Sequence, residues 1–182
     1  MSVPHAYVGL WQRTGIWRSN GTSDLTTRVL WIQAPLFHID LRVSLDRSAV
    51  TAFAGRTVVE GERCEWQPEF AYPSLSGELD AGFMRFDAPD QLHERGVDGS
   101  YDEQWQRLDA GPVRSLRHPL NDGAIAFAIA SERWLALALG GHNSFAFARR
   151  QADGWRVELC NNAQHEGSML PDLALGDLTS LL

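Results

Sequence analysis

Three side chains that could do chemistry stand at alternate positions of residues 36–43: His38, Asp40 and Arg42. Side chains of a strand alternate between its faces, so the three form one polar row, with Phe37, Ile39, Leu41 and Val43 opposite. An imidazole, a carboxylate and a guanidinium in a row suit the fixing of a polar or acidic group, because the arginine fork grips a carboxylate bidentately. The same alternation is what the solvent face of an amphipathic strand gives. Trp31, Trp66 and Trp105, with Arg85, make a second set: aromatic walls for a small apolar ligand and a cationic anchor for its anionic or polar head. Tryptophans in strands serve equally well as plain core.

Other chemistries find less. Glu65 and Glu103 flank two of these tryptophans, but sequence spacing does not fix the separation that paired acids need. There is no Gly-x-Ser-x-Gly elbow, and His38 and Asp40 have no evident nucleophile. The six histidines, His5, His38, His93, His118, His142 and His165, never fall at i, i+2 or i+4 of one another, so a metal site would need distant elements to converge. His165 is the candidate axial ligand of a haem-binding barrel, with nothing else in support. Cys64 and Cys160 are too few for a disulfide scaffold or a thiolate metal site, and both are expected to be reduced and buried. No catalytic residue, metal or cofactor is assigned, and an enzyme is the least favoured reading.

The composition narrows the partners. Among 182 residues, 44% are hydrophobic, with seven Trp and eight Phe, which excludes intrinsic disorder. A net charge of −7 argues against nucleic acid and anionic membranes. All sixteen basic residues are arginine, so no Schiff-base or P-loop lysine exists in this chain. No apolar run approaches the ~20 residues of a membrane span, and the N-terminus lacks a signal region; a cytoplasmic protein is expected.

The elements that must position these residues read as strands. Short β-branched and aromatic runs with regular turn signals predict an all-β fold, an antiparallel up-and-down barrel of roughly ten strands with little helix, as one domain over residues 1–182. Residues 46–54 read as a short helix or the start of a strand, and 68–79 as the longest irregular stretch. Residues 123–150 read as three strands joined by three-residue turns. On that reading one face carries Ile125, Phe127, Ile129, Leu135, Leu137, Leu139, Phe145 and Phe147, and the other only alanines. Neither suits water, so both faces are expected to be covered, one of them by the Leu-rich tail from Leu170 to Leu182 or by a two-fold partner in a homodimer. Leu175, Leu178 and Leu182 fall at helical spacing.

Gly9-Leu-Trp11 resembles the Gly-x-Trp signature of lipocalins and their relatives, the calycins; Gly15-Ile-Trp17 fits the same pattern. The resemblance implies that Trp11 plugs the closed end of a barrel, with an arginine from a late strand over it, for which Arg149 and Arg156 are the candidates. The order of residues 31–42, Cys64-Glu-Trp66, residues 70–73 and residues 102–106 also resembles a lipocalin-like family first described in fungi, over about residues 29–108. That family brings no established activity. Together these imply a barrel binding a small apolar ligand through Trp31, His38, Arg42, Trp66, Arg85 and Trp105. The alternative is an interaction module with a filled barrel that dimerises through the alanine face.

Overall fold

A computed structural model describes residues 2–77 and 79–170. Nine strands make the first sheet: β1 Gly9–Arg18, β2 Ser23–Asp24, β3 Arg28–Gln33, β4 Phe37–Val43, β5 Val50–Glu60, β6 Arg63–Tyr72, β7 Asp80–Ala88, β8 Gln91–Gly96 and β9 Tyr101–Asp109. They run antiparallel in the order β2-β1-β3-β4-β5-β6-β7-β8-β9, and β1 pairs again with β9. Eight strands therefore close a barrel, with β2 as an extra strand, and closure leaves no free edge. The helix among the described residues is two short 3-10 segments, His5–Tyr7 and Ala163–His165.

A second antiparallel sheet follows in simple order: β10 Arg114–Pro119, β11 Ile125–Ala130, β12 Trp134–Leu139, β13 Ser144–Gln151, β14 Gly154–Cys160 and β15 Met169–Leu170. The expected all-β antiparallel barrel is present, but it ends at β9. The stretch 123–150 is no part of it and instead forms the middle of this second sheet. Residues 46–54 contain no helix, and β6 carries the strand to Tyr72, so the irregular connection is shorter than expected.

The two sheets share one core. Leu10, Leu30, Ile32, Ile39, Leu41 and Ala54 on the outside of β1 and β3–β5 pack against Phe127, Ile129, Ala136, Ala138, Phe145 and Phe147. Phe70 lies 5.8 Å from Phe127 and 5.5 Å from Phe145, ring centre to ring centre. Polar links rim this contact: Arg117 forks onto Glu69, Arg133 meets Asp109 at 3.1 Å, and Arg28 donates to the Glu158 carbonyl at 3.0 Å.

Register overturns the all-alanine face. Ser131 N–H bonds the Trp134 carbonyl, so only Glu132 and Arg133 form the first turn. Phe127 then pairs with Ala138 and Ile129 with Ala136. Across the next hairpin Ala136 pairs with Phe147 and Ala138 with Phe145. Partners share a face, so every face alternates large and small residues from strand to strand. A one-residue difference in turn length moves a whole strand's side chains to the other side. The inner face carries Phe127, Ile129, Phe145 and Phe147; the outer face carries Leu135, Leu137 and Leu139 among the alanines of β11 and β13.

Candidate functional site

The barrel's closed end is built on Gly9 and Trp11. Gly9 has φ +131°, and a Cβ there would sit 2.2 Å from the Asp109 carbonyl oxygen, so only glycine lets β1 start this close to β9. Trp11 is fully buried, and its Nε1–H donates to the Tyr7 carbonyl at 2.8 Å. The arginine over its ring is Arg107 of β9, with Cζ 4.3 Å from the ring centre. Arg107 also donates to the Val8 and Ala6 carbonyls, tying the N-terminal turn across the barrel end. Arg149 and Arg156, the expected partners, belong to the second sheet, where Arg149 lies over Trp134. Trp17 of the other Gly-x-Trp match is 41% exposed and plugs nothing.

Tryptophans occupy the barrel interior. Trp31 stacks on Trp11 at 6.2 Å and takes Trp66 and Trp105 edge-on at 5.5 and 5.6 Å. Cys64, Met84 and Leu92 pack among them, and burial pushes the Cys64 thiol up. The polar row of β4 also points inward, because β4's apolar face is buried under the second sheet. His38 is fully buried, Asp40 nearly so, and Arg42 lies part-exposed at the open end. The solvent-face alternative is thereby excluded.

Hydrogen-bond accounting fixes the His38 tautomer. Gln33 Nε2 donates to the Ala34 and Phe37 carbonyls, which turns Oε1 toward Thr57 and Trp31. Oε1 accepts from Thr57 Oγ1–H at 2.8 Å and Trp31 Nε1–H at 3.2 Å. The single hydroxyl proton of Thr57 is thus used, so His38 Nδ1–H must donate to Thr57 Oγ1 at 3.0 Å. Nε2 is left a bare acceptor with no partner among the described residues. Burial, helped by the neighbouring Arg42, lowers the His38 pKa to about 3, so the ring is neutral at ordinary pH.

Carboxylates gather toward the open end. Arg42 Nε donates to Asp40 at 2.7 Å and its Nη2 reaches Asp80 at 3.5 Å. Arg13 Nη1 donates to Glu103 at 2.6 Å. Glu94, the cross-strand partner of Glu103, accepts from Tyr101 Oη–H at 2.7 Å and from Trp105 Nε1–H at 3.2 Å. Its side chain fits because its diagonal neighbour on β7 is Gly82; a Cβ there would come 2.6 Å from Glu94 Cγ. Burial first, then the facing Glu103, pushes Glu94 well above the usual carboxylate range. Burial likewise raises Asp40 to about 6, outweighing the pull of Arg42. Both arginine forks are already engaged, and Asp40, Asp80, Glu94 and Glu103 outnumber Arg13 and Arg42. An acidic ligand would meet more carboxyl than guanidinium here.

Of the residues read from the sequence, the barrel brings together Trp31, His38, Arg42, Trp66 and Trp105. Arg85 faces away from the interior, exposed and bound to Asp87 at 2.8 Å. Glu65 points outward to Arg63 and Gln67, so the acid facing Glu103 is Glu94, which only strand register reveals. The histidines do not converge: His93 pairs with Asp102 and His142 with Asp122. Among the described residues no group of His, Cys, Asp and Glu could hold a metal ion.

A groove of about 240 Å³ lies on the far side of the molecule, against the outer face of the second sheet. Leu116, Ala126, Ala128, Leu137, Leu139, Ala146, Val157 and Leu170 form its apolar walls. Ser144, Cys160, His165 and Ser168 supply its polar groups. Sequence reading missed it because Leu137 and Leu139 join the alanines of neighbouring strands only through the even-numbered turns.

Among the described residues no helix is long and apolar enough to cross a membrane. No family model matches the sequence, and no curated protein does. Among solved structures, the chain is similar to a lipocalin-like protein from Bacteroides uniformis, with 12% identity and a TM-score of 0.44, over 57% of this chain and 99% of that one. The closed eight-stranded up-and-down antiparallel barrel, sealed by β1 on β9 and plugged by Trp11 under Arg107, is in its own topology a lipocalin-like fold.

Proposed function

We propose that this chain is a binding protein that takes a small, largely apolar ligand with a polar head in the outer-face groove of the second sheet, with the filled barrel as its rigid support. The observation that carries this reading is the 240 Å³ groove itself, walled by leucine, alanine and valine with hydroxyl and imidazole groups among them. Ligand sites are mostly apolar concavities with a few placed polar groups, and this one is small, below the ~300 Å³ of drug-sized sites. Inside the barrel, by contrast, four tryptophans occupy one another's flanks, and the arginines toward the open end are already paired with carboxylates.

Decanoate, a chain with a carboxylate head, is a suitable probe. Ala146→Trp fills the groove and is expected to weaken decanoate binding at least tenfold by calorimetry, while Arg42→Ala leaves it unchanged. Loss of binding in Arg42→Ala with retention in Ala146→Trp would return the site to the barrel.

A further inference from the structure

The groove follows one register row of the second sheet. Leu116 of β10 pairs with Ala128, Ala128 with Leu137, Leu137 with Ala146, and Ala146 with Cys160 of β14. Directly paired residues share a face, so these side chains form a single line across the strands, and every one of them lines the groove. At the usual strand spacing the line is about 19 Å long. A volume of about 240 Å³ spread along that length is narrow, the section of one straight hydrocarbon chain rather than of a ring system.

Polarity is confined to one end of the line. The lining from β10 and β11 is Leu116, Ala126, Phe127 and Ala128, without a polar side chain. Ser144 opens β13, and His165 and Ser168 stand on the connection from β14 to β15, all toward the Cys160 end. Ser168 Oγ–H donates to the His165 carbonyl at 2.5 Å, which leaves its lone pairs to accept. Ser144 Oγ and the His165 ring make no side-chain hydrogen bond among the described residues. Together these groups offer both donors and acceptors. No described lining residue is Asp, Glu or Arg, although the chain has sixteen arginines. A carboxylate only accepts, and taking it out of water without a guanidinium against it is costly. A hydroxyl both donates and accepts and brings no charge.

We propose that the groove's ligand is a straight aliphatic chain ending in an uncharged hydroxyl group, a fatty alcohol in its simplest form, which lies across the strands with its head between Ser144, His165 and Ser168 and its tail over Leu116. This rests on the reading of the groove as the binding surface. It adds the charge of the head and the direction of the chain.

Decanol and decanoate share one chain length and differ in the head, so the pair gives the test. The unaltered protein is titrated calorimetrically into dilute solutions of each at a pH of about 8, where a carboxylic acid is fully ionised. Decanol is expected to bind more tightly, by about tenfold or more. A smaller difference, or the reverse order, overturns the proposal while keeping the groove. Binding of neither overturns both. Direction has its own readout. Ser168→Arg, at an exposed position, puts a guanidinium at the head end and is expected to raise decanoate affinity about tenfold. Leu116→Arg, at the tail end, is expected to weaken both ligands. A gain of decanoate binding in Leu116→Arg, or none in a folded Ser168→Arg, would refute the assigned direction.

Discussion

Replacing Trp11 by alanine removes the plug of the barrel. The indole is fully buried between Tyr7, Trp31, Phe86 and Arg107, with ring centres 6.2 Å from Trp31 and 6.0 Å from Phe86. Core Trp→Ala changes cost about 3–5 kcal/mol through lost transfer energy and the cavity left behind. Two further losses push Trp11 toward the upper end. The Tyr7 carbonyl loses its donor, worth about 1 kcal/mol, and Arg107 loses the ring beneath it, worth roughly 1–2 kcal/mol when desolvated. We expect about 5 kcal/mol, read from guanidinium unfolding by far-ultraviolet circular dichroism so that the loss of a tryptophan does not distort the signal. Trp17→Ala is the control, because Trp17 is 41% exposed and should cost no more than about 1 kcal/mol. Similar costs at the two positions, or a cost below about 1 kcal/mol at Trp11, would refute the plug.

Two other predictions concern the buried polar groups. Asp40 is displaced from 3.8 to about 6, so in that range the folded chain holds a proton that the unfolded chain releases, and stability falls as pH rises through the window. The displacement corresponds to roughly 3 kcal/mol; Asp40→Asn should flatten the decline in unfolding free energy between pH of about 4 and 6.5, and an unchanged slope would contradict the assignment. Thr57→Val leaves His38 Nδ1–H unpaired and costs Gln33 Oε1 a donor, an expected loss of about 1–3 kcal/mol, whereas Thr57→Ser keeps both bonds and should stay near the parent protein in the same assay.

Much of the strand order was legible because alternation and turn signals are local. The two faces of β4 were separated correctly from residues 37–43, but whether the polar row lined the interior or met water stayed open. In a free-standing barrel apolar residues point in; here a second sheet covers the outside of β4, so the apolar face turns outward and the polar row inward. Nothing in residues 37–43 announces that cover. The tryptophan cluster was likewise found as a set, while Arg107 was missed in favour of Arg149 and Arg156. Its place over Trp11 comes from barrel closure, which sets Trp11 opposite Arg107. The groove failed for a similar reason, since a two-residue turn at Glu132-Arg133 in place of three decides which alanines sit beside Leu137. The expected helical run through Leu175, Leu178 and Leu182 lies outside the described residues.

The central claim is that ligand meets the outer face of the second sheet and the barrel stays closed to it. A decanoate titration followed by methyl and indole NMR tests this directly. The account predicts progressive shifts of the Leu116, Leu137, Leu139 and Val157 methyls, with the indole N–H signals of Trp11, Trp31 and Trp105 unmoved. Shifts confined to the Trp31 and Trp105 indoles, with the groove methyls still, would contradict it.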